Sequence, residues 1–112
     1  MRILLVSCFL VFLISCQHAV SNIPGIVALP KWISPSEQQC VLDSDCVLTK
    51  ADCCGCNQGG KQLGVNKEHI NQIRAKSASA CAETLCVQVI SKDASCKARE
   101  AKCEAGVCVP AL

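Results

Sequence analysis

Cysteine is the feature of this sequence that most constrains its fold. The chain has 112 residues and 12 cysteines, a proportion above the roughly 8–10% that marks a short disulfide scaffold. From Ser34 to the end there is no Phe, Tyr or Trp, so a domain there has little large apolar surface to bury. A domain of this kind needs covalent cross-links, and each disulfide stabilises the folded state by ~2–4 kcal/mol.

Charge and motif content exclude several classes of function. The formal net charge is +2, with 11 Lys and Arg against 9 Asp and Glu, and no basic stripe or aromatic platform for nucleic acid is present. There is also no phosphate-binding loop, no dinucleotide-binding fingerprint, no zinc-protease helix and no Ser/His/Asp set. We therefore expect neither an enzyme nor a nucleic-acid-binding protein, and we expect no cofactor.

The first fifteen residues have the pattern of an export signal. Arg2 gives a positive start, and Ile3–Ile14 is uncharged, almost entirely apolar and shorter than a ~20-residue membrane span. Residues 13–16, Leu-Ile-Ser-Cys, resemble the lipobox of bacterial lipoproteins, in which the cysteine is lipidated and becomes the new N-terminus. That resemblance implies a membrane anchor at Cys16, and Gln17 after it resembles the signal for sorting to the outer membrane of a bacterial envelope.

A second processing site overlaps the first. Ala19 and Ser21 are small residues at the positions that signal peptidase prefers, so cleavage after Ser21 would leave Asn22 as the mature start. The product would be a free secreted protease inhibitor or a toxin-like effector. Both readings leave ten cysteines downstream, so their even number does not decide between them.

Composition divides the chain into three parts. Residues 1–15 are the signal peptide, residues 16–39 form an arm with three prolines and no cysteine after Cys16, and residues 40–112 form the cysteine-rich domain. Trp32 in the arm has three possible roles, which are packing on the domain, contact with lipid headgroups and contact with a partner.

The pattern within the domain predicts a small disulfide-rich α+β fold with a few short antiparallel strands and one helix. The helix spans about residues 66–80, with Asn66 as its cap and Cys81 placed to bond it to a strand. Extended segments are expected around the turn at residues 43–45, at residues 61–65 and at residues 86–90. Residues 102–109 predict a closing hairpin in which Gly106 has a positive φ.

Export to an oxidising compartment predicts that the ten domain cysteines form five disulfides. Their pairing stays open, except that the adjacent Cys53 and Cys54 are poor partners for each other. Two alternatives remain. One is a metal site at Cys53, Cys54 and Cys56, with His69 as a candidate further ligand, in a metal-binding envelope protein, and the other is a redox pair at Cys54 and Cys56. The ten cysteines of the domain are Cys40, Cys46, Cys53, Cys54, Cys56, Cys81, Cys86, Cys96, Cys103 and Cys108.

A small domain cross-linked by disulfides is typically a binding domain, because preorganised loops lose little entropy when they bind a partner protein. Thr49, Lys50 and Ala51 resemble the binding loop of trypsin-directed inhibitors, which implies that Lys50 enters an acidic specificity pocket. One candidate partner is therefore a protease.

A wider resemblance is partial. The residues that carry it are Cys40 with Asp43, Cys46, and the adjacent Cys53 and Cys54. They make the first half of the domain similar to elements of the whey-acidic-protein inhibitor domains, and this similarity also implies protease inhibition. The rest departs from that family, because Cys56 follows after one residue and a helix-length gap of 24 residues then precedes Cys81.

Overall fold

The computed structural model describes residues 28–112. The predicted signal peptide, the predicted lipidation site at Cys16 and the alternative predicted cleavage site after Ser21 lie outside these residues. The described part has one α-helix and four short strands in two antiparallel two-stranded sheets, which confirms the small disulfide-rich α+β fold. In chain order these are β1 (Cys46–Lys50), β2 (Gln62–Asn66), α1 (Ile70–Ala80), β3 (Ala101–Glu104) and β4 (Val107–Pro110).

The first sheet and the helix share one core. β1 pairs with β2 from Cys46 opposite Asn66 to Lys50 opposite Gln62. The Asn66 side chain then accepts a hydrogen bond of 3.0 Å from the Glu68 N–H, which caps the 3₁₀ turn that leads into α1. The helix buries Ile73 almost completely. The main core cluster consists of Ile33, Ala51, Leu63, Val65 and Ile73.

The second sheet is a tight hairpin. β3 and β4 pair with Cys103 opposite Cys108, and the two residues of the turn, Ala105 and Gly106, have φ of 50° and 78°. Positive φ at both positions is what a type I′ turn requires, and that turn matches the twist of the strands it joins. The predicted hairpin and the positive φ of Gly106 are both confirmed.

Residues that composition assigns to the arm contact the domain. Ile33 is buried in the main core cluster, Trp32 packs against it, and the Gln38 side chain donates a hydrogen bond of 2.8 Å to the carbonyl of Gly64. Packing on the domain is therefore the role that the structure shows for Trp32. Burial of Ile33 supplies part of the large apolar surface that the sequence after Ser34 lacks.

One predicted strand is wrong. Residues 86–90 belong to no sheet, although Val and Ile favour strands. A strand needs a partner for its backbone, and in the described part of the chain both sheets contain two strands only. The predicted bond from Cys81 to a strand also differs from the structure, because its partner Cys53 lies in the loop after β1.

The two sheets meet where β2 crosses β4. Side chains alternate along a strand, so Leu63 and Val65 enter the main core while Gly64 faces the opposite way, towards β4. A Cβ placed on Gly64 would lie 2.7 Å from the backbone carbon of Cys108 and 2.7 Å from the N atom of Val109. Only glycine allows the two backbones to approach this closely.

Gly64→Ala is expected to destabilise the oxidised protein by ~1–3 kcal/mol or more, because the new methyl group must push β4 away from β2. Gly55→Ala is the matched control, since a Cβ there meets only the Lys50 side chain at 3.6 Å and φ is −82°. Denaturant unfolding with the disulfides intact measures both. Equal stabilities for the two variants would contradict the role assigned to Gly64.

A partly buried ion pair joins the N-terminal segment to α1. Glu37 is 6% exposed, and its carboxylate accepts hydrogen bonds from the Lys76 ammonium at 2.7 Å and from the Ser34 N–H at 2.8 Å. Burial alone raises the pKa of Glu37, but the hydrogen bonds from Lys76 and Ser34 and the charge of Lys76 outweigh it, so the pKa is lowered. The charged form is therefore the one that the fold stabilises.

This ion pair predicts a pH dependence of stability. A lowered pKa in the folded state stabilises the protein above the ordinary value of 4.5, and the contribution is lost as the pH falls through the lower, folded-state value. Glu37→Gln is expected to cost ~1 kcal/mol at pH 7, and the difference from wild type should shrink as the pH falls below 4.5.

Thermal unfolding at a series of pH values measures this difference. Glu83→Gln is the control, because Glu83 is exposed and forms no ion pair with any residue from 28 to 112. A Glu37→Gln deficit that does not shrink as the pH falls below 4.5 would argue against the ionised pair.

Candidate functional site

The ten domain cysteines form five disulfides that fall into two groups. Two link the start of the domain to the closing hairpin, and three link the cysteine cluster at residues 53–56 to the chain that follows α1. The adjacent Cys53 and Cys54 are not bonded to each other, as expected. The pairs are Cys40–Cys103, Cys46–Cys108, Cys53–Cys81, Cys54–Cys86 and Cys56–Cys96.

The three central disulfides hold a stretch of chain whose apolar side chains face solvent. We call residues 82–90 the exposed segment. Leu85 is 96% exposed, Ile90 72%, Val87 63% and Val89 56%. Single exposed aliphatic residues are ordinary on protein surfaces, but four of them close together in the chain make this segment a candidate interaction site.

The backbone of the exposed segment is only partly hydrogen-bonded. A turn at its start places the Thr84 N–H 3.0 Å from the Cys81 carbonyl, and at its end the Ser91 N–H donates to the Cys56 carbonyl at 2.8 Å. Between these points the Leu85 and Val87 N–H groups have no acceptor within residues 28–112. These N–H groups are available to a partner that pairs with extended backbone.

The anchor of the exposed segment is itself held in place. The Cys54 N–H donates to Asp52 Oδ1 at 2.9 Å. The Cys54 carbonyl lies so close to Gly60 that a Cβ on that glycine would be only 1.7 Å from the oxygen. Cys53 and Cys54 therefore have little freedom to move, and the disulfides extend this constraint to Cys86 and to the end of α1.

The residues predicted as an inhibitory loop lie elsewhere. Thr49 and Lys50 are the last two residues of β1 and pair with β2, and Ala51 is buried in the main core cluster. Lys50 is exposed, and its ammonium lies 3.4 Å from the Cys53 carbonyl. Cys46 and Cys53, which flank these residues in sequence, are bonded to other partners.

The structure also describes the cysteines of the metal and redox alternatives. Cys53, Cys54 and Cys56 each form a disulfide with a residue distant in sequence, so none of the three is a free thiolate that could bind zinc. Cys54 and Cys56 are not bonded to each other as a redox pair would be. His69 is half-buried at the start of α1.

Sequence reasoning missed Leu85 as a site residue. Residues 86–90, directly after Leu85, are predicted to form a strand, a structure that would place part of this run in the core. One signal could have identified it, namely that the run lies between closely spaced cysteines, which can hold a segment without burying it.

No protein-family model, curated protein or solved structure matches this chain. In the described part, α1 and the 3₁₀ turns are too short or too polar to cross a bilayer as helices. The candidate site is therefore assigned from the geometry of its own residues.

Proposed function

We propose that this chain is an exported, non-catalytic protein-binding domain whose exposed segment contacts a partner protein. The observation that carries the proposal is the group of exposed side chains Leu85, Val87, Val89 and Ile90 on chain that three disulfides hold in place. Aliphatic surface in water is unfavourable by about 25 cal/mol for each Å² that a partner could cover. Contact with a partner recovers this free energy.

The disulfides support the same proposal through entropy. A flexible loop loses conformational freedom when it binds, at about 0.5–1.5 kcal/mol for each ordered side chain and more for the backbone. Cys86 is bonded to Cys54 in the middle of the exposed segment, and the Ser91 N–H holds its far end. Much of the ordering is thus complete before a partner arrives.

Site-specific photo-crosslinking in the native host tests this proposal. A photoreactive amino acid at position 87 is expected to give a discrete adduct with one partner protein, and the same group at position 68, on the exposed start of the helical region, is expected to give none. Excess wild-type protein should suppress the adduct, whereas a Val87→Asp, Ile90→Asp variant should not. Adducts of equal yield from both positions, or none from position 87, would reject the exposed segment as the contact surface.

The proposal includes a membrane anchor at Cys16, supported by the lipobox resemblance of residues 13–16. A single acyl chain binds a membrane marginally, and two or more bind it stably. The alternative is cleavage after Ser21, which would release the chain as a secreted inhibitor or effector with the same domain.

Intact mass and N-terminal analysis of the protein from its native source separates these two outcomes. A mature chain that starts at Cys16 and carries acyl chains is expected, together with a shift of ten alkylated thiols after reduction. A free N-terminus at Asn22 with the same ten-thiol shift would instead show that the protein is secreted without an anchor.

A further inference from the structure

The exposed segment begins inside a small covalent ring. Cys53 and Cys54 are adjacent in the chain and are bonded to Cys81 and Cys86. The ring therefore contains only residues 53–54 and 81–86, closed by two disulfides. Leu85 lies within this ring, directly before Cys86, and is the most exposed of the large apolar side chains in the described part of the protein.

We propose that the partner is a serine protease with an apolar primary specificity pocket, and that Leu85 is the side chain that enters this pocket. The inference rests on the proposed function, because the same segment makes the contact. A protease cleft binds its peptide in an extended form and pairs with its backbone. Leu85 combines an exposed aliphatic side chain with an N–H that has no acceptor within residues 28–112.

The bond between Lys50 and Ala51 meets these requirements less well. The Ala51 N–H already donates to the Lys61 carbonyl at 2.9 Å, and the Ala51 side chain is buried. A protease that bound there would have to break part of the β1–β2 ladder and extract a core residue. At Leu85 itself no backbone hydrogen bond has to be broken, and the nearest one is the turn bond from the Thr84 N–H to the Cys81 carbonyl directly before it.

The ring gives a reason why the complex would inhibit the enzyme and not be consumed as a substrate. When the enzyme's serine oxygen attacks the Leu85 carbonyl, the C–N bond to Cys86 breaks, the oxygen becomes acylated, and the serine proton passes through the enzyme's histidine to the Cys86 amine. Cys86 stays bonded to Cys54, and the acylated end stays bonded through Cys81 to Cys53.

The leaving amine is therefore unable to diffuse away. It remains beside the acyl carbon at a high effective concentration, so its reverse attack re-forms the peptide bond and returns the proton to the enzyme. Water attacks the acyl group only after the amine has moved aside, and the ring opposes that movement. The hydrogen bond from the Cys54 N–H to Asp52 and the close contact of Cys54 with Gly60 hold the base of the ring.

Inhibition assays with the oxidised full-length chain test this inference. The probes are a chymotrypsin-like and an elastase-like serine protease, which have apolar pockets, and a trypsin-like protease, which has an acidic pocket. Wild type is expected to inhibit at least one of the first two. Leu85→Lys should weaken that inhibition by ~30-fold or more, the loss typical of a central anchor residue, and should gain inhibition of the trypsin-like enzyme.

Leu42→Lys is the matched control, because Leu42 is also exposed, at 62%, and lies outside the ring. It should inhibit like wild type. A second variant, Cys54→Ala with Cys86→Ala, opens the ring, and mass spectrometry should then show steady cleavage after Leu85, whereas wild type should stay mostly uncleaved. Its thermal unfolding curve reports whether the rest of the domain is folded.

Three results would overturn the inference. The first is no inhibition of any of the three enzymes by wild type, and the second is equal inhibition by wild type and Leu85→Lys. The third is inhibition of the trypsin-like enzyme by wild type that disappears in Lys50→Ala, which would assign the contact to Lys50. Crosslinking from position 87 without protease inhibition would reject a protease as the partner and keep the proposed binding function. Absence of both crosslinking and inhibition would reject the protease and the binding function together.

Discussion

The close contact between β2 and β4 at Gly64 is the constraint on which the rest of the structure depends. Each sheet has two strands, and an isolated pair of this kind is marginal in water, so the sheets are stable only because they pack on each other. The absence of a side chain at Gly64 lets the two backbones meet, and the Cys46–Cys108 disulfide joins β1 to β4 beside this contact. The N-terminal segment and α1 then cover the other face of β2, where Val65 is fully buried.

In this arrangement the two groups of disulfides have different structural roles. The two that reach the hairpin secure the contact between the sheets, and the three central ones hold chain that adds little to the core. Because cross-links and not burial keep residues 82–90 in place, aliphatic side chains there can remain in water without unfolding the domain. A protein without these disulfides would have to bury Val87 and Ile90 in its hydrophobic core to hold this stretch of chain. Their aliphatic side chains would then no longer be exposed.

Leu85 and Lys50 differ in backbone environment in a way that residue type does not reveal. Lysine between small residues near a cysteine suggested a protease-binding loop, yet the backbone beside Lys50 belongs to a sheet ladder and the next residue is buried. Leu85 carries no motif, and its exposure depends on the pairing of Cys53 and Cys54 with Cys81 and Cys86. Ten cysteines allow hundreds of pairings, so the ring could not be read from their spacing.

The sequence by itself predicted a small α+β domain cross-linked by disulfides, because the chain after Ser34 has no aromatic side chain to bury and carries ten cysteines; only the structure showed that all ten are paired. Local signals also located the elements whose causes are local, such as the cap at Asn66 and the positive φ of Gly106. Tertiary structure alone decided the disulfide pairing, the packing of Ile33 into the core, and the failure of residues 86–90 to join a sheet. Each of these depends on which distant segments meet, and contacts of that kind leave no periodic signal along the chain.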